Sequence, residues 1–297
     1  ENERLPQHNA LIGREHTTSF RRGYDKMNNR KEEKNMKLLI QSDDYGITPA
    51  VADGIIYGIT QGVIKNTGLF SNMPWAKECV EKIRPYLDDI ALGIDLNAST
   101  GSSLLGYDKV PNLCHEDGSF LTSRENREAD KTAPDNDHVD YEQVFAEFDA
   151  QVQKFIELVG KKPDYVHAHA YGTATTERAR VAIADKYDRP YTIAVGEKLC
   201  GGYGRMGWYQ IGSPEKQLTE DLKNFIITDQ SHFLERDYGH LITHCGYADA
   251  VLFELSSFNL CRVKDLEALT SEEVKQWVKD NNVELITFKD LPKELWK

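Results

Sequence analysis

The chain has 297 residues, 40 % of them apolar, and a formal net charge of −12, so it is long enough for one large domain or two medium ones with a sizeable core. An acidic body repels nucleic acid and anionic membranes, so we expect neither as a partner. Neutral or cationic small molecules suit this charge better.

The first 36 residues differ from the rest of the chain. Residues 1–37 carry nine basic and six acidic side chains, a net charge of +3, which leaves −15 on the remainder. The stretch is rich in Arg, Asn, Glu and Lys and has little apolar periodicity, which is typical of disordered segments. We therefore predict a disordered basic extension over residues 1–36 and a single folded domain over residues 37–297. A docking arm is the alternative interpretation of a basic tail.

From Lys37 onward, short apolar runs alternate with longer amphipathic stretches. The apolar runs predict seven strands: Lys37–Gln41, Val63–Leu69, Ile90–Leu96, Tyr165–His169, Tyr191–Val195, Leu241–His244 and Glu284–Phe288. The amphipathic stretches predict six helices: Pro49–Gln61, Trp75–Tyr86, Tyr141–Val159, Thr175–Lys186, Pro214–Thr228 and Ser271–Asn281.

This alternation predicts a parallel sheet with helices outside it. No GxGxxG motif follows the first strand, and at this length a closed or nearly closed barrel is favoured over an open doubly wound sheet. The predicted fold class is therefore α/β, a distorted (β/α) TIM-like barrel of mostly parallel strands with outer helices. Residues 99–140 and 201–212 interrupt the alternation, and long excursions after barrel strands usually build the binding face.

The cysteines and the apolar runs indicate the compartment. The five cysteines are Cys79, Cys114, Cys200, Cys245 and Cys261. They are widely spaced and form no CxxC pair, which argues against a disulfide framework or a thiolate zinc site. No stretch approaches the run of about 20 apolar residues that spans a bilayer, and the first residues lack the apolar core of a secretory signal. We therefore expect a cytoplasmic protein, and the sequence leaves self-association open.

Two adjacent carboxylates, Asp43 and Asp44, follow the first predicted strand within Ser42-Asp-Asp-Tyr-Gly46. Like charges side by side repel each other and lose hydration, so they persist at low cost only if they are exposed or if a cation lies between them and a partner. A divalent metal would serve. A solvated Asp-Asp-Tyr-Gly turn is the structural alternative.

Further polar residues fall at the ends of other predicted strands, and in a parallel barrel such ends meet on one face. They are Asp95, Asn97, His167, His169 and His244. Each of them taken singly could be a buried structural residue. Together, oxygen and nitrogen ligands in this mixture suit a divalent metal with open positions for water and substrate.

A metal ion lowers the pKa of bound water, and a carboxylate beside it can take the proton from that water. A histidine on the opposite side can then protonate the leaving group. Asp43, Asp44 and His244 supply these residue types.

Five segments, in order and spacing, resemble the motifs of the YdjC-like carbohydrate deacetylases. They are Lys37-Leu-Leu-Ile-Gln-Ser-Asp-Asp-Tyr-Gly46, Leu92-Gly-Ile-Asp-Leu-Asn97, Val110-Pro-Asn-Leu-Cys-His-Glu-Asp-Gly-Ser-Phe120, Pro163-Asp-Tyr-Val-His-Ala-His169 and Thr243-His-Cys-Gly-Tyr247. Arg262, residues 267–269 and residues 285–291 resemble the C-terminal segment of the family. The similarity covers about residues 36–292.

The resemblance implies a distorted (β/α) barrel that removes acetyl groups from N-acetylated mono- or oligosaccharides with a divalent metal, usually magnesium or zinc. It implies that Asp43 is the general base, that Asp44 and His169 are metal ligands, and that His244 acts as the acid or stabilises the tetrahedral intermediate. The loop Val110–Phe120 would help to enclose the sugar.

Two positions depart from the family pattern. Asp95 stands where the family commonly has the third metal ligand, a His, and His167 stands where it commonly has Asp. With Asp44, Asp95 and His169 as ligands the site would favour magnesium, with manganese or zinc as alternatives. The exchange could be compensatory if His167 reaches toward Asp95. Cys245 replaces the usual Pro outside the inferred ligands.

We also predict that Asn97, His167 and Tyr247 contact the substrate. Aromatic residues of the glycine-rich stretch 201–212 could stack on sugar faces, although such residues more often pack than bind; they are Tyr203, Trp208 and Tyr209. Two other functions stay open, since a fold alone does not choose between them. One is a non-catalytic sugar-binding protein with a degenerate metal site, and the other is a metal-free glycosidase with a carboxylate pair.

Overall fold

The computed structural model describes residues 35–200 and 207–297, with the side chain of Cys200 left out. Residues 1–34 of the predicted basic extension lie outside the described residues, as does Tyr203. Of the extension's last two residues, Asn35 is exposed and Met36 is buried.

In the described part of the chain, six parallel strands form one sheet in the order β4-β3-β2-β1-β5, and β6 also pairs with β1. The strands are β1 (Lys37–Tyr45), β2 (Asn66–Leu69), β3 (Ala91–Leu96), β4 (Val166–Ala168), β5 (Tyr238–Thr243) and β6 (Glu284–Ile286). β5 pairs with residues 37–42 of β1. On the other edge of β1, β6 pairs with residues 37–39 and β2 pairs farther along, at residues 41–45.

Helices cover the sheet. They are α1 (Pro49–Gln61), α2 (Ala76–Ile83), α3 (Ser123–Asp130), α4 (Tyr141–Val159), α5 (Ala174–Tyr187), α6 (Thr192–Cys200), α7 (Pro214–Gln217), α8 (Leu222–Ile227), α9 (Ala250–Leu255), α10 (Leu260–Thr270) and α11 (Glu272–Asp280). Short 3₁₀ turns occupy Arg84–Tyr86, Pro134–Asn136, Phe233–Glu235, Phe288–Asp290 and Lys293–Leu295. None of the helices in the described part of the chain combines the length and apolarity needed to cross a lipid bilayer.

The predicted bounds of α1 and α4 are confirmed at both ends, because local signals mark them. Thr48 caps the first turn of α1 and Pro49 starts it, which suits a position without a free N–H. Asp140 caps α4 in the same way, and Gly160 ends it with a left-handed φ of 88°, a conformation that favours glycine.

Two predictions of secondary structure are wrong. Tyr191–Val195 is not a strand: Tyr191 makes a single parallel bridge to Val166, and α6 begins at the next residue. A short apolar run cannot be told from a buried helix by periodicity alone, and α6 packs against both β4 and β5. The predicted helix Pro214–Thr228 is broken into α7 and α8.

Besides α6, three helices of the described residues are absent from the predicted set. Residues 99–140 contain α3, whose capping box pairs Thr122 with Glu125; this sequence signal was available. The other two helices, α9 and α10, follow β5 and precede the predicted last helix. The consequence is important for the site, because α10 carries charged side chains that turn out to be buried.

The fold class is confirmed as α/β with mostly parallel strands and flanking helices. The alternation of β1 separates two apolar clusters. Leu38 and Ile40 belong to the large core under the helices, whereas Leu39 belongs to a smaller cluster with Tyr165 and Phe288. Gln41 and Asp43 follow Leu39 at a spacing of two residues, so they continue this second face toward the carboxyl end of the strand.

Candidate active site

The carboxyl ends of β1, β3, β4 and β5 bring together the charged residues predicted from the sequence. Asp43, Asp44 and Asp95 are each at most 3 % exposed. Such burial is expensive for ionised carboxylates unless each has charged or hydrogen-bonding partners. The partners of each carboxylate therefore define what the site can do.

Asp43 lies between two imidazoles. Its Oδ2 is 2.8 Å from Nε2 of His167 and 3.7 Å from Nε2 of His244. Its Oδ1 accepts a hydrogen bond from the side-chain amide of Gln41, which also contacts His240. Burial by itself would raise the pKa of Asp43, but the charges of His167 and His244 outweigh it, so the pKa lies below its usual value. Asp43 is thus an ionised carboxylate at neutral pH.

His167 is fixed at both ring nitrogens. Nδ1 contacts the hydroxyl of Thr192 at the start of α6, and Nε2 contacts Asp43. Although burial lowers its pKa, the carboxylate of Asp43 more than compensates, and the pKa of His167 is raised. Asp95 is the register partner of His167 on β3, yet the ring hydrogen-bonds to Asp43. The suggested pairing of His167 with Asp95 is therefore not the one formed.

Asp44 has both oxygens engaged. Oδ1 is 2.8 Å from Nδ1 of His169, and Oδ2 accepts a hydrogen bond from Nη2 of Arg262 at 2.6 Å. Burial opposes ionisation, but His169 and Arg262 hold the pKa of Asp44 well below its usual value. Its backbone is left-handed, with φ of 68°, and its amide donates to Oδ2 of Asp95 at 2.7 Å. A positive φ is uncommon for residues other than glycine. The contacts of Asp44 with His169, Arg262 and Asp95 hold its backbone in this conformation.

His169 completes the cluster on the β4 side. Its Nε2 lies 3.2 Å from the hydroxyl of Thr100, and the edge of its ring packs against Phe70, with ring centroids 4.7 Å apart. His169 and Asp44 are therefore in direct contact with each other, and their roles as metal ligands stay predictions.

Asp95 is directed elsewhere. Its Oδ2 accepts from the amide of Asp44, and its Oδ1 lies over Gly68, where a β-carbon would approach to 1.7 Å. Among the described residues Oδ1 has no hydrogen-bond partner. Burial and the charge of Asp43 raise the pKa of Asp95 well above its usual value.

The three predicted metal ligands therefore do not converge on one point. Within residues 35–200 and 207–297, no group of three or more His, Cys, Asp or Glu side chains is arranged to hold a metal ion. Asp44 and His169 form a pair of adjacent donors, while Asp95 serves the backbone of Asp44. The arrangement does not fit a cation bound by all three side chains.

His244 lies on the opposite side of Asp43, just after β5. Its Nδ1 is 2.9 Å from the hydroxyl of Tyr209, and its backbone amide donates to Oδ2 of Asp265 at 2.8 Å. Its side chain is 21 % exposed, compared with 6 % for His167. Burial lowers the pKa of His244, although Asp43 and Asp44 act in the opposite direction. Of the two imidazoles on Asp43, His244 is the one that incoming molecules can reach more easily.

Four partners of the cluster were not among the predicted site residues: Arg262, Asp265, Thr192 and Tyr209. Arg262 and Asp265 lie on one face of α10, at a spacing of three residues, and are at most 1 % exposed. The only sequence signal for these two residues was their spacing, which places opposite charges on one face of a helix. Thr192 was hidden by the wrong strand prediction. Arg262 also has an Nη1 without a partner in the described part of the chain.

Two predicted substrate contacts, Asn97 and Tyr247, bond or pack with groups outside the charged cluster. The side chain of Asn97 is completely buried; its amide donates to the carbonyl of Thr100, and its oxygen accepts from the amides of residues 99 and 100. These bonds shape the loop that carries Thr100 to His169. Tyr247 is 42 % exposed and its ring centroid lies 6.3 Å from that of Tyr57.

Of the aromatic residues at 208 and 209, Trp208 is buried and Tyr209 is half-buried. Trp208 is 5 % exposed and contacts Phe225, with ring centroids 4.6 Å apart. Tyr209 packs edge-on against both His244 and Phe258. Both residues therefore pack against other aromatic side chains. Tyr209 also makes a polar contact, from its hydroxyl to Nδ1 of His244.

The loop after β3 is anchored by α4. The buried Glu147 accepts hydrogen bonds from the hydroxyl of Ser103 and from the amides of Leu104 and Leu105. Gln151 binds the backbone of Asn97 in both directions. The loop is therefore held on the face that carries the candidate site, and it exposes Leu104 to solvent.

A parallel α/β sheet that gathers buried carboxylates and imidazoles at the carboxyl ends of its strands has the construction of an α/β enzyme. Residues 37–280 match the family model described as YdjC-like protein. The chain belongs to the YdjC-like family, and the predicted membership is confirmed.

Related proteins match along most of the chain. Carbohydrate deacetylase 2 of Listeria innocua is 30 % identical over 260 residues, which cover 87 % of this chain and 100 % of the relative. The carbohydrate deacetylase of Enterococcus faecalis is 26 % identical over 269 residues, covering 86 % of this chain and 98 % of the relative.

A solved structure shares the fold. A crystal structure from Enterococcus faecalis V583, described as a candidate cellobiose-phosphate cleavage protein, superimposes with a TM-score of 0.70 at 24 % identity, and covers 86 % of this chain and 98 % of that one. This likeness supports the architecture of the whole described domain.

Proposed function

We propose that this chain is a carbohydrate deacetylase that hydrolyses the acetamido group of an N-acetylated mono- or oligosaccharide. The observation that carries the proposal is an ionised Asp43 held between two imidazoles at the carboxyl ends of the strands, in a chain of the YdjC-like family. The names of the Listeria and Enterococcus relatives support the same activity.

Asp43 is the proposed general base. Amide hydrolysis needs a group that takes a proton from the attacking water as the C–O bond forms. Asp43 is ionised at neutral pH, and His167 holds its Oδ2 in place. His167 is thus a positioning residue for the base, in addition to the substrate contact predicted from the sequence.

His244 is the proposed general acid. The departing amine must gain a proton when the C–N bond breaks, and Nε2 of His244 faces Asp43 across 3.7 Å. A proton taken by Asp43 from water lies within one short transfer of this nitrogen. The base and the acid are therefore neighbours on one side of the site.

The metal remains a prediction. For a magnesium, manganese or zinc ion bound by Asp44, Asp95 and His169, Asp95 would offer its Oδ1, which has no hydrogen-bond partner among the described residues, while Asp44 and His169 would have to give up their contact with each other. The proton transfers proposed for Asp43 and His244 rest on the contact between these two side chains. Tyr247 and Asn97 likewise stay predicted substrate contacts, and the acidic charge of the chain suits a neutral sugar whose product is an amine.

The test is release of acetate from N-acetylglucosamine and its oligomers by the purified chain, after chelation and after addition of Mg²⁺, Mn²⁺ or Zn²⁺. Acetate release supports the proposal. Binding of the sugars without acetate release would favour a non-catalytic sugar-binding protein, and new reducing ends without acetate would favour a glycosidase; either result would contradict the deacetylase.

A further inference from the structure

A hydrogen-bonded chain runs from a buried carboxylate on α10 to the ring of His244. The hydroxyl of Tyr209 lies 2.6 Å from Oδ2 of Asp265 and 2.9 Å from Nδ1 of His244. Asp265 is completely buried and also accepts from the indole N–H of Trp208 at 3.2 Å. The reactions assigned so far to Asp43 and His244 do not use this chain.

The direction of the hydrogen bonds follows from the donors available. An ionised carboxylate can only accept, so the hydroxyl proton of Tyr209 points to Asp265. The hydroxyl oxygen is then free to accept, and Nδ1 of His244 must donate to it. Burial raises the pKa of Asp265 to about 6, so this direction holds at neutral and higher pH.

The geometry points to Tyr209 as a positioning residue that fixes His244 with its proton on Nδ1 and its Nε2 directed into the site, with Asp265 as the anchor of Tyr209. This inference rests on the proposed function of His244 as general acid. In the neutral ring Nε2 then has the lone pair, so the proton that His244 binds and delivers is always the one on Nε2.

The same chain stabilises the protonated ring. When Nε2 gains a proton, the positive charge is shared with Nδ1–H, which donates through the Tyr209 hydroxyl toward the carboxylate of Asp265. Charge-assisted hydrogen bonds of this kind are stronger than neutral ones. The rings of Tyr209 and Phe258 pack edge-on against His244, with centroids 5.7 and 4.9 Å away, and restrict its rotation.

Other charged groups also act on His244, and the Tyr209→Phe variant leaves all of them in the protein. They are Asp43 and Asp44 from β1, His167 from β4, and Arg262 and Asp265 from α10. Replacement of Tyr209 by Phe removes only the hydroxyl, and it keeps the ring that packs on His244.

The experiment compares Tyr209→Phe with wild type in acetate release across pH. We expect kcat to fall roughly 10- to 100-fold with little change in KM. We also expect the alkaline limb of the kcat profile to move to lower pH, because the protonated His244 loses its acceptor. Asp265→Asn should shift the limb in the same direction. An unchanged kcat and pH profile in Tyr209→Phe would overturn the inference.

Tyr187→Phe is the matched control. The hydroxyl of Tyr187 also donates to an aspartate, Asp149, at 2.7 Å, but between α5 and α4. Its loss should leave the pH profile unchanged. An equal shift in the two variants would mean a general structural effect and would contradict the role of Tyr209.

A second measurement is independent of activity. Nitrogen-15 NMR of ring-labelled histidine in the wild type should show neutral His244 protonated at Nδ1, and Tyr209→Phe should reduce that tautomer. A neutral His244 protonated at Nε2 in the wild type would overturn the inference. If the wild type releases no acetate from any sugar, the proposed function fails, while this spectrum still decides whether the chain of hydrogen bonds exists.

Discussion

The two sides of the candidate site are built differently. On the β3–β4 side, Asp44 is held by an ion pair with Arg262 and by a contact with Nδ1 of His169, and Asp95 accepts a hydrogen bond from the backbone of Asp44. On the β5–α10 side, His244 is held by hydrogen bonds, from its ring to the hydroxyl of Tyr209 and from its backbone amide to the carboxylate of Asp265.

This difference suggests that the β3–β4 side stabilises the site, whereas Asp43 and His244 carry the proposed proton transfers. Arg262 is always protonated, so its ion pair holds Asp44 in the ionised state and Asp44 is not available to exchange protons. Asp43, between the two sides, is the carboxylate that contacts an imidazole on each of them. We therefore expect changes on the β3–β4 side to alter stability and cation binding, and changes around Asp43 and His244 to alter turnover.

Loss of the base should have the largest effect. Asp43→Asn keeps the shape of the side chain but cannot accept the proton from water, so kcat for acetate release should fall by roughly 10²- to 10⁴-fold. The control is Asp149→Asn, which changes a partly exposed aspartate of α4 that pairs with Lys186 of α5, and it should retain activity. Turnover within a few-fold of wild type in Asp43→Asn would remove Asp43 from the reaction.

Loss of the buried guanidinium group of Arg262 should destabilise the fold. Arg262→Met leaves Asp44 with an unpaired oxygen in the interior, which should lower the free energy of unfolding by about 3–5 kcal/mol in chemical denaturation. The exposed pair of Lys223 with Glu273, at 2.9 Å, is the comparison, and Lys223→Met should cost less than about 1 kcal/mol. Equal costs would mean that the Asp44 side is not held by its ion pair.

Exchange of the residues at positions 95 and 167, which depart from the family pattern, should change the affinity for divalent metal ions. The double variant Asp95→His with His167→Asp restores the residue types common in the family, and we expect its affinity for Zn²⁺ or Mg²⁺ to rise at least about 10-fold over wild type, measured by calorimetry and metal analysis. If the wild type already binds one equivalent and Asp95→Asn abolishes it, Asp95 is a ligand and the described arrangement is not the one that binds metal.

The smallest effect should come from Glu220, which supports the backbone next to Tyr209 by accepting from the amide of Gln210 at 2.7 Å. Burial raises the pKa of Glu220 from 4.5 to about 7. The folded state therefore favours the protonated acid, so stability falls as pH rises from 4.5 to about 7 and levels off above that. Glu220→Gln should remove this dependence, a difference on the order of 1 kcal/mol in unfolding experiments; parallel pH curves would contradict it.

Much of the site could be predicted because charged residues at the ends of apolar strands are rare without a reason. Asp43, Asp44, His167, His169 and His244 are adjacent in the structure as the parallel alternation requires. Their pairing could not be predicted. Asp95 and His167 are register partners on the adjacent strands β3 and β4, yet His167 binds Asp43. The carboxylate of Asp95 lies in the space over Gly68, and the ring of His167 is oriented by its contact with Thr192.

The sequence by itself determined the parallel α/β architecture, the helix ends marked by Thr48 and Asp140, and the family. Periodicity, caps and motifs are local, so they can be read without the fold. Only the tertiary structure decided that Arg262 neutralises Asp44 and that Tyr209 links His244 to Asp265. These partners are separated by up to 218 residues, and buried charges choose partners by distance and desolvation in the folded protein.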